Sequence, residues 1–452
     1  MKKYIIPLLV IGLSFVGCEK YLDLKPDVKM VVPKTLDDAD LLLNDFNTLN
    51  NNYSVFGEFS ADDYYLHDDV YESISDFDMR NAYIWADLPY TNAMYWQDSY
   101  KTVYVANQVL DILSKVDREI NPEKYCRSLG AAHFFRAFAF QQLVDVYCLA
   151  YNKNTANMDM GIPLRLTSGI DEVSVRTSMQ QNYNQIITDY EIALTNLIVN
   201  EPNLGRPNKA AAHAGLARVY LNMGDFELAY YHAEEGLKLN HKLLNFNDLN
   251  AELAFPIPEF NDEVLFAASF SSAYPMSSEM GFVDSSLIKT YSPSDLRLNV
   301  FFRKNDDPIG TYGFRGNYSN NLITFFMGFT TAEVYLIKAE AAARIGKENE
   351  ARIAINTLLK SRWNKDAAYQ EIVEVDAEPL LRIILNERRK ELVFRGRRWA
   401  DLKRLNLDPR FQTTLRRVIK GVEYKLMPNS LLYAYRIPET VVELAKIPQN
   451  KR

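Results

Sequence analysis

Between residues 62 and 96 the chain interleaves flat aromatic rings with acids and one base. Tyr64, Tyr65, Tyr71, Tyr83, Trp85, Tyr90 and Trp96 alternate with Asp62, Asp63, Asp68, Asp69, Asp76 and Arg80. A sugar presents faces of C–H groups and rims of hydroxyls, so a site for one needs exposed rings for the faces and polar side chains for the rims. This stretch supplies both. Trp85 is the first candidate because indole offers the largest stacking face, whereas Trp96 opens a helical pattern and is expected in the core. A second aromatic and polar region, 255–330, adds Tyr274, Tyr291, Tyr312, Phe314, Arg315, Tyr318 and several asparagines. The candidate ligand contacts are therefore Trp85, Tyr64, Tyr65, Tyr71, Asp68, Arg80, Tyr90, Tyr291, Tyr312 and Tyr318. Long irregular segments are also held down by buried rings, so only part of this set is expected to reach a ligand.

Other clusters of reactive side chains point to structure. A glycosidase needs two carboxyl groups roughly 5 to 9.5 Å apart across the scissile bond. Asp62, Asp63, Asp68 and Asp69 are numerous enough for that, but acidic surface loops carry such clusters routinely and no supporting motif accompanies them. There is no GxSxG elbow and no glycine-rich phosphate loop. The five histidines, His67, His133, His213, His232 and His241, form no HExxH, and no CxxC completes a zinc site, so neither metal nor cofactor is implied. No catalytic motif emerges. The arginine-rich "NERRKELVFRGRRWADLKR" (386–404) reads as a salt-bridged helix, with Glu391–Arg395 and Arg397–Asp401 at i, i+4 and with Trp399 and Leu402 facing the core.

Composition narrows the class further. The 452 residues are 48% hydrophobic and 24% charged, ordinary for a globular chain, with a formal net charge of −7. That balance offers no broad electrostatic grip on nucleic acid. Lys2 and Lys3 precede an apolar run that ends at Gly17-Cys18, the layout of an export signal. The junction "FVGC" resembles the lipobox of bacterial lipoproteins, with Phe15 where leucine is usual. The resemblance implies removal of residues 1–17 and acylation of Cys18, which anchors the body to a membrane without spanning it. No other stretch has the apolar length of a membrane helix. Cys126 and Cys148 remain, and in an oxidising compartment they either pair or stay as buried thiols.

The elements that must position the loops are mostly helical. The segments 96–116 and 130–150 place Val103, Ala106, Val109, Leu110 and Leu113, then Phe134, Phe138, Leu143 and Tyr147, on single faces at a 3.6-residue period. In 213–239, Leu216, Ala217, Tyr220, Gly224, Phe226, Ala229 and Ala233 fall at tetratricopeptide-like spacing, and 335–359 repeats it more loosely through Ala339, Ala342, Gly346, Ala351 and Ile355. Helical pairs near 96–147 and 178–199 extend the series. Such units cannot bury a face alone and must stack, which predicts an α–α superhelix. A strand-like "EVLFAAS" and a hairpin in "RRVIKGVEYKLMPN" interrupt the pattern. The fold class expected is mainly α, with tetratricopeptide-like repeats, long loops and small β-hairpins, in one domain spanning 18–452.

Taken in order, "CEKYLDLKP", "WQDSYKTVYVANQVL", "GAAHFFRAFAFQQLVDVY" followed by "GIPLRL", "GRPNKAAAHAGLARVYLNMGDFELA", "TTAEVYLIKAEAAARIG", "ILNERRKELVFRGRRWADLKR" and "RIPETVVELAKIPQN" resemble the SusD/RagB family of outer-membrane lipoproteins over nearly the whole chain. "FRG" at 394–396 stands where that family more often has "FEG". The resemblance implies a four-repeat helical scaffold carrying a variable face of loops, without catalysis. It also implies capture of oligosaccharide at the cell surface and a SusC-like TonB-dependent transporter as partner. Peptide in place of glycan, as in RagB-like members, and a scaffold that binds only protein remain open alternatives.

Overall fold

Helix signals in the sequence are met by helices whose ends are chemically defined. In the computed structural model, which describes residues 32–452, α1 (Met94–Leu113) and α2 (Pro122–Tyr147) form the first antiparallel pair. Asn121 caps α2 by accepting from the Lys124 N–H, and Pro122 occupies the first turn, where no N–H is needed. From Ala131 to Tyr147 nearly every side chain of α2 is buried. Its buried polar groups are paired, Arg136 with Asp189 and Asp145 with Arg397, so α2 can run through the interior of the molecule with neighbours on every side.

The helices α3 (Met179–Asn196), α4 (Lys209–Met223), α5 (Phe226–Leu239), α6 (Thr331–Arg344), α7 (Glu348–Lys360) and α8 (Ala377–Glu391) follow. Each of α1 to α7 packs on the next, and α8 returns onto α6. Gly224 ends α4 in the left-handed conformation at φ 76°, and Asp225 then caps α5 through the Leu228 N–H. Ala229 and Ala233 are fully buried where α5 meets its neighbours. Gly346, at φ 73°, plays the same part between α6 and α7. These two hairpins match the predicted spacing. The segment 178–199 does not supply a pair: a Ser178–Gln181 capping box starts one helix, α3, which lies between α2 and α4.

The arginine-rich segment also departs from expectation. Its helix breaks after Glu391, with Phe394 at φ 56° and Gly396 at φ 70°, before α9 (Arg398–Leu405) begins. The break removes the i, i+4 geometry between Glu391 and Arg395, and the expected pair does not form. Arg397 and Asp401 keep that geometry, the Asp401 N–H donating to the Arg397 carbonyl at 2.9 Å, but the Asp401 carboxylate is taken by Arg388 and Arg404, so the second expected pair is also absent. Glu391 instead meets Arg362 at 2.8 Å and Arg297 at 3.2 Å. Arg397 reaches Asp145 at 2.8 Å, and Arg395 lies 3.5 Å from the Tyr318 ring centre. Trp399 and Leu402 are buried as expected. The segment joins distant elements of the core.

Among the described residues the β-structure is five two-stranded sheets. Val264–Phe266 pairs with Phe329–Thr330, and Leu415–Ile419 with Val422–Leu426. The latter hairpin turns at Lys420-Gly421, both with positive φ, the turn whose twist suits paired strands. Cys126 and Cys148 are free thiols, and Cys18 lies outside the described residues. No helix among the described residues is long and apolar enough to cross a membrane.

Candidate ligand-binding face

The two aromatic loop regions meet. Tyr64 pairs with Val283 and Tyr65 with Phe282 in a short antiparallel ladder, and the Asp284 N–H donates to the Asp63 carbonyl at 2.8 Å. Successive side chains of a strand point to opposite faces, so Tyr64 turns into the core and Tyr65 turns out. The Tyr65 ring lies 5.5 Å from Phe282 at an interplanar angle of 29°, and His67 lies 4.4 Å from the same ring, also at 29°. All three are partly or fully exposed. Strand Tyr312–Phe314 packs beside Phe282–Val283 and brings the half-buried Tyr312 to the same edge.

The C-terminal hairpin closes the other side of this face. The Lys420 N–H donates to the exposed Asp68 carboxylate at 2.9 Å, and the Lys420 ammonium pairs with Glu72. Beside it the half-buried Tyr71 ring lies 5.7 Å from Tyr83. Burial raises the pKa of the Tyr71 hydroxyl, with Tyr424 adding to the rise and Arg80 opposing it. Arg80 and the exposed Phe77 complete this second group, with the guanidinium 5.8 Å from the Phe77 ring centre. Rings, an acid and a base are thus presented from three separate parts of the chain.

Beneath the face, Arg417 acts as a clamp. Its guanidinium donates to the carbonyls of Phe59, Ala61 and Tyr83. It also lies 3.6 Å from the Tyr83 ring centre and 5.0 Å from that of Trp85. The acids at 62 and 63 face inward. Arg398 binds Asp62 through two hydrogen bonds of 2.6 and 2.9 Å, and Arg389 binds Asp63 at 2.8 Å. Burial works against an ionised Asp62, yet Arg398 and Arg389 outweigh it and hold the carboxyl well below its ordinary range. These two carboxylates are engaged as structural ties.

Five of the ten candidate contacts are therefore in the core. Trp85 is 7% exposed, its indole N–H donating to the Ser60 carbonyl at 3.0 Å. Tyr64 donates to the Phe59 carbonyl, Tyr291 to the Lys390 carbonyl and Tyr318 to Glu263. Tyr90 packs between Phe56 and Tyr435. Each is an amphipathic ring that anchors an irregular segment by burying its body and satisfying or packing its polar tip, which leaves no face for a sugar. Arg315 likewise ties the carbonyls of Ala251 and Asn299. Trp96 is buried, as expected of a helix start. Tyr65, Tyr71, Asp68, Arg80 and Tyr312 reach the surface. Reading the sequence missed Phe282, His67 and Tyr424 as members of this face. Their place depends on pairings between segments far apart in the chain, for which no local pattern exists.

Comparison with known proteins fits this architecture. Residues 20–221 match the SusD-like family described as starch-binding and associating with the outer membrane, and residues 314–441 match the SusD family. The chain belongs to the SusD/RagB family. It is 25% identical over 479 aligned positions to SusD-like protein P2 of Formosa agariphila, covering 90% of this chain and 91% of that one. SusD-like protein P38 of the same organism is 24% identical, with 88% and 90% covered. A SusD superfamily protein from Bacteroides thetaiotaomicron superposes with a TM-score of 0.76 at 22% identity, over 92% of this chain and 100% of that one. A SusD-like carbohydrate-binding protein from Bacteroides vulgatus gives 0.68 at 19% identity, over 91% and 96%. The mainly helical fold is that of the superfamily, and the family is one of non-catalytic binding proteins associated with the outer membrane.

Proposed function

We propose that this SusD-family protein captures an oligosaccharide on its loop face and passes it to a SusC-like TonB-dependent transporter. The observation that carries the reading is the Tyr65–Phe282–His67 stack at the junction of the two loop regions. Half-exposed rings in near-parallel array offer a platform for the C–H faces of sugar rings. Asp68, Arg80 and the Tyr71 and Tyr312 hydroxyls supply hydrogen-bonding groups around it. Residues 18–452 would act as one unit, tethered by acylated Cys18 at the outer membrane beside the transporter. Release requires no chemistry, only a shallow site whose contacts are given up one by one.

Retardation of the mature chain in gels containing different polysaccharides tests the reading. One glycan should slow the parent, and Phe282→Ala and Tyr65→Ala should run free while remaining folded. Retardation unchanged in both variants would remove the platform from the site. If no glycan slows the parent while a peptide library does, the same face serves the RagB-like role instead.

A further inference from the structure

A cavity of about 770 Å³ has none of the platform residues in its lining. Its walls come from four places: Phe46, Asn50 and Asn51 before the first ladder, the loop 202–205 between α3 and α4, the strand region 259–269, and the turn 318–326. Asn50 staples two of these walls together. Its side-chain amide donates to the carbonyls of Gly205 at 2.9 Å and Ala267 at 2.7 Å, while its Oδ1 is left without a donor. Gly205 fits because a Cβ there would sit 2.4 Å from the Phe46 ring. The walls are therefore fixed against one another. Tyr318, one of the expected ligand contacts, lines this cavity, but its hydroxyl is already given to Glu263.

The lining has a consistent chemistry. Phe46, Phe260 and Phe326 supply flat apolar surface. Asn51 accepts from the Ser269 hydroxyl at 2.7 Å, which leaves its amide N–H groups without a partner among the described residues. The hydroxyls of Ser319 and Thr324 also donate to nothing among the described residues. Among the described residues no lysine, arginine or histidine lines the cavity, and the exposed Glu259 at its rim is the only carboxyl. An anionic ligand would find no countercharge, and a cationic one would find a single solvated acid. A cavity of several hundred Å³ with a few convergent neutral polar groups among apolar walls is the usual form of a small-molecule site. At its mouth Phe260 is 42% exposed and holds φ +50°, a conformation that costs a bulky residue free energy and persists where the surroundings enforce it.

We infer that this cavity is a second binding site, for one or two rings of a neutral sugar. Phe260 and Phe46 would cover C–H faces, while the amide of Asn51 and the hydroxyls of Ser319 and Thr324 would meet ring hydroxyls. The inference does not rest on the platform, since the two sites share no exposed residue and either can fail alone.

Saturation-transfer NMR on the mature chain tests it. The probe is a fixed set of free neutral sugars (glucose, galactose, mannose, xylose, maltose and cellobiose) with glucuronate and glucosamine as charged counterparts. At least one neutral sugar should bind the parent and Phe282→Ala equally. Its affinity should fall about tenfold or more in Asn51→Ala combined with Thr324→Val, and in Phe260→Ala, with the charged sugars silent throughout. Ala267→Phe, which fills the cavity, should abolish the signal; the polar double variant covers the case in which it misfolds. The inference is overturned if no neutral sugar of the set binds, if the signal survives these changes, or if it disappears with Phe282→Ala instead. The last outcome would assign all binding to the platform, whereas retardation lost in Phe282→Ala with cavity binding intact would confirm two separate sites.

Discussion

The helical stack and the loop face use the same kinds of residue under different rules. Along α5 the side that a residue takes is set by its position within a few turns, so Ala229, His232, Ala233 and Gly236 are buried where the period puts them, against an α4 that is buried on every side. On the loop face the neighbours Tyr64 and Tyr65 part company, one 3% exposed and the other partly open, because a strand more than two hundred residues away pairs with them. Abundance of rings in a loop therefore measures how much anchoring the loop needs as well as how much ligand it can hold.

The sharpest test of that distinction is Trp85→Ala. If the ring is an anchor, its removal leaves a cavity and strands the Ser60 carbonyl, and the fold should lose about 3–5 kcal/mol in urea denaturation. Glycan retardation of the remaining folded protein should change little by comparison. Full stability with lost retardation would return Trp85 to the binding surface and reverse the comparison. On the helical side, Gly224→Ala forces a Cβ into the left-handed turn at φ 76° and should cost about 1–2 kcal/mol, with Gly224→Asn costing less. Equal stability of the three proteins would mean that the turn relaxes and that the repeat does not depend on it.

Phe282→Ala should behave in the opposite way to Trp85→Ala. A half-exposed ring contributes little to the core, so stability should fall by only about 1 kcal/mol. Glycan affinity, in contrast, should drop about tenfold, or about 1.4 kcal/mol. A variant that loses stability and binding in parallel would show that the platform is merely the top of the core.

How much could be read beforehand follows the same division. The period of "GLARVYLNMGDFELAYYHA", with its turn glycine, specifies α4 and α5 because helix geometry is local. The hairpin around Lys420-Gly421 was legible for the same reason. The position of Phe282 was not, since "MGFVDSS" carries no mark of the strand it joins. The arginine-rich segment lies between these cases. Its buried Trp399 and Leu402 follow helical spacing, but the chain turns at Phe394 and Gly396, both with positive φ, and the guanidinium groups beyond the turn reach other parts of the molecule: Arg397 meets Asp145 on α2, Arg398 meets Asp62, and Arg395 lies over the Tyr318 ring. Charge pairs inferred along one helix presuppose that the helix continues.

The smallest expected effects concern pH, and they set the two regions in opposition. His213 and His232 join α4 to α5, with their Nδ1 atoms 3.1 Å apart, one donating to the other. Burial lowers both pKa values, His232 to about 4 from 6.5, with His213 adding to that fall. Below 6.5 the unfolded chain takes up protons that the folded pair refuses, so this contribution to stability is present above 6.5 and is lost as pH falls toward 4. Glu58, under the loop face, is 2% exposed, and neither carboxyl oxygen finds a partner among the described residues. Burial first, and the neighbouring Asp63 second, push its pKa up to about 8 from 4.5. The folded state here holds a proton that the unfolded chain releases, so this contribution is full below 4.5 and is lost as pH rises through 8. Urea midpoints of the parent, His232→Gln and Glu58→Gln at pH 5, 6.5 and 8 should separate the two. His232→Gln should narrow the gap between pH 5 and 6.5, and Glu58→Gln should gain on the parent between 6.5 and 8. Midpoints that shift in parallel at every pH would mean that neither group carries a buried protonation cost, and that packing alone distinguishes the helical stack from the floor of the loop face.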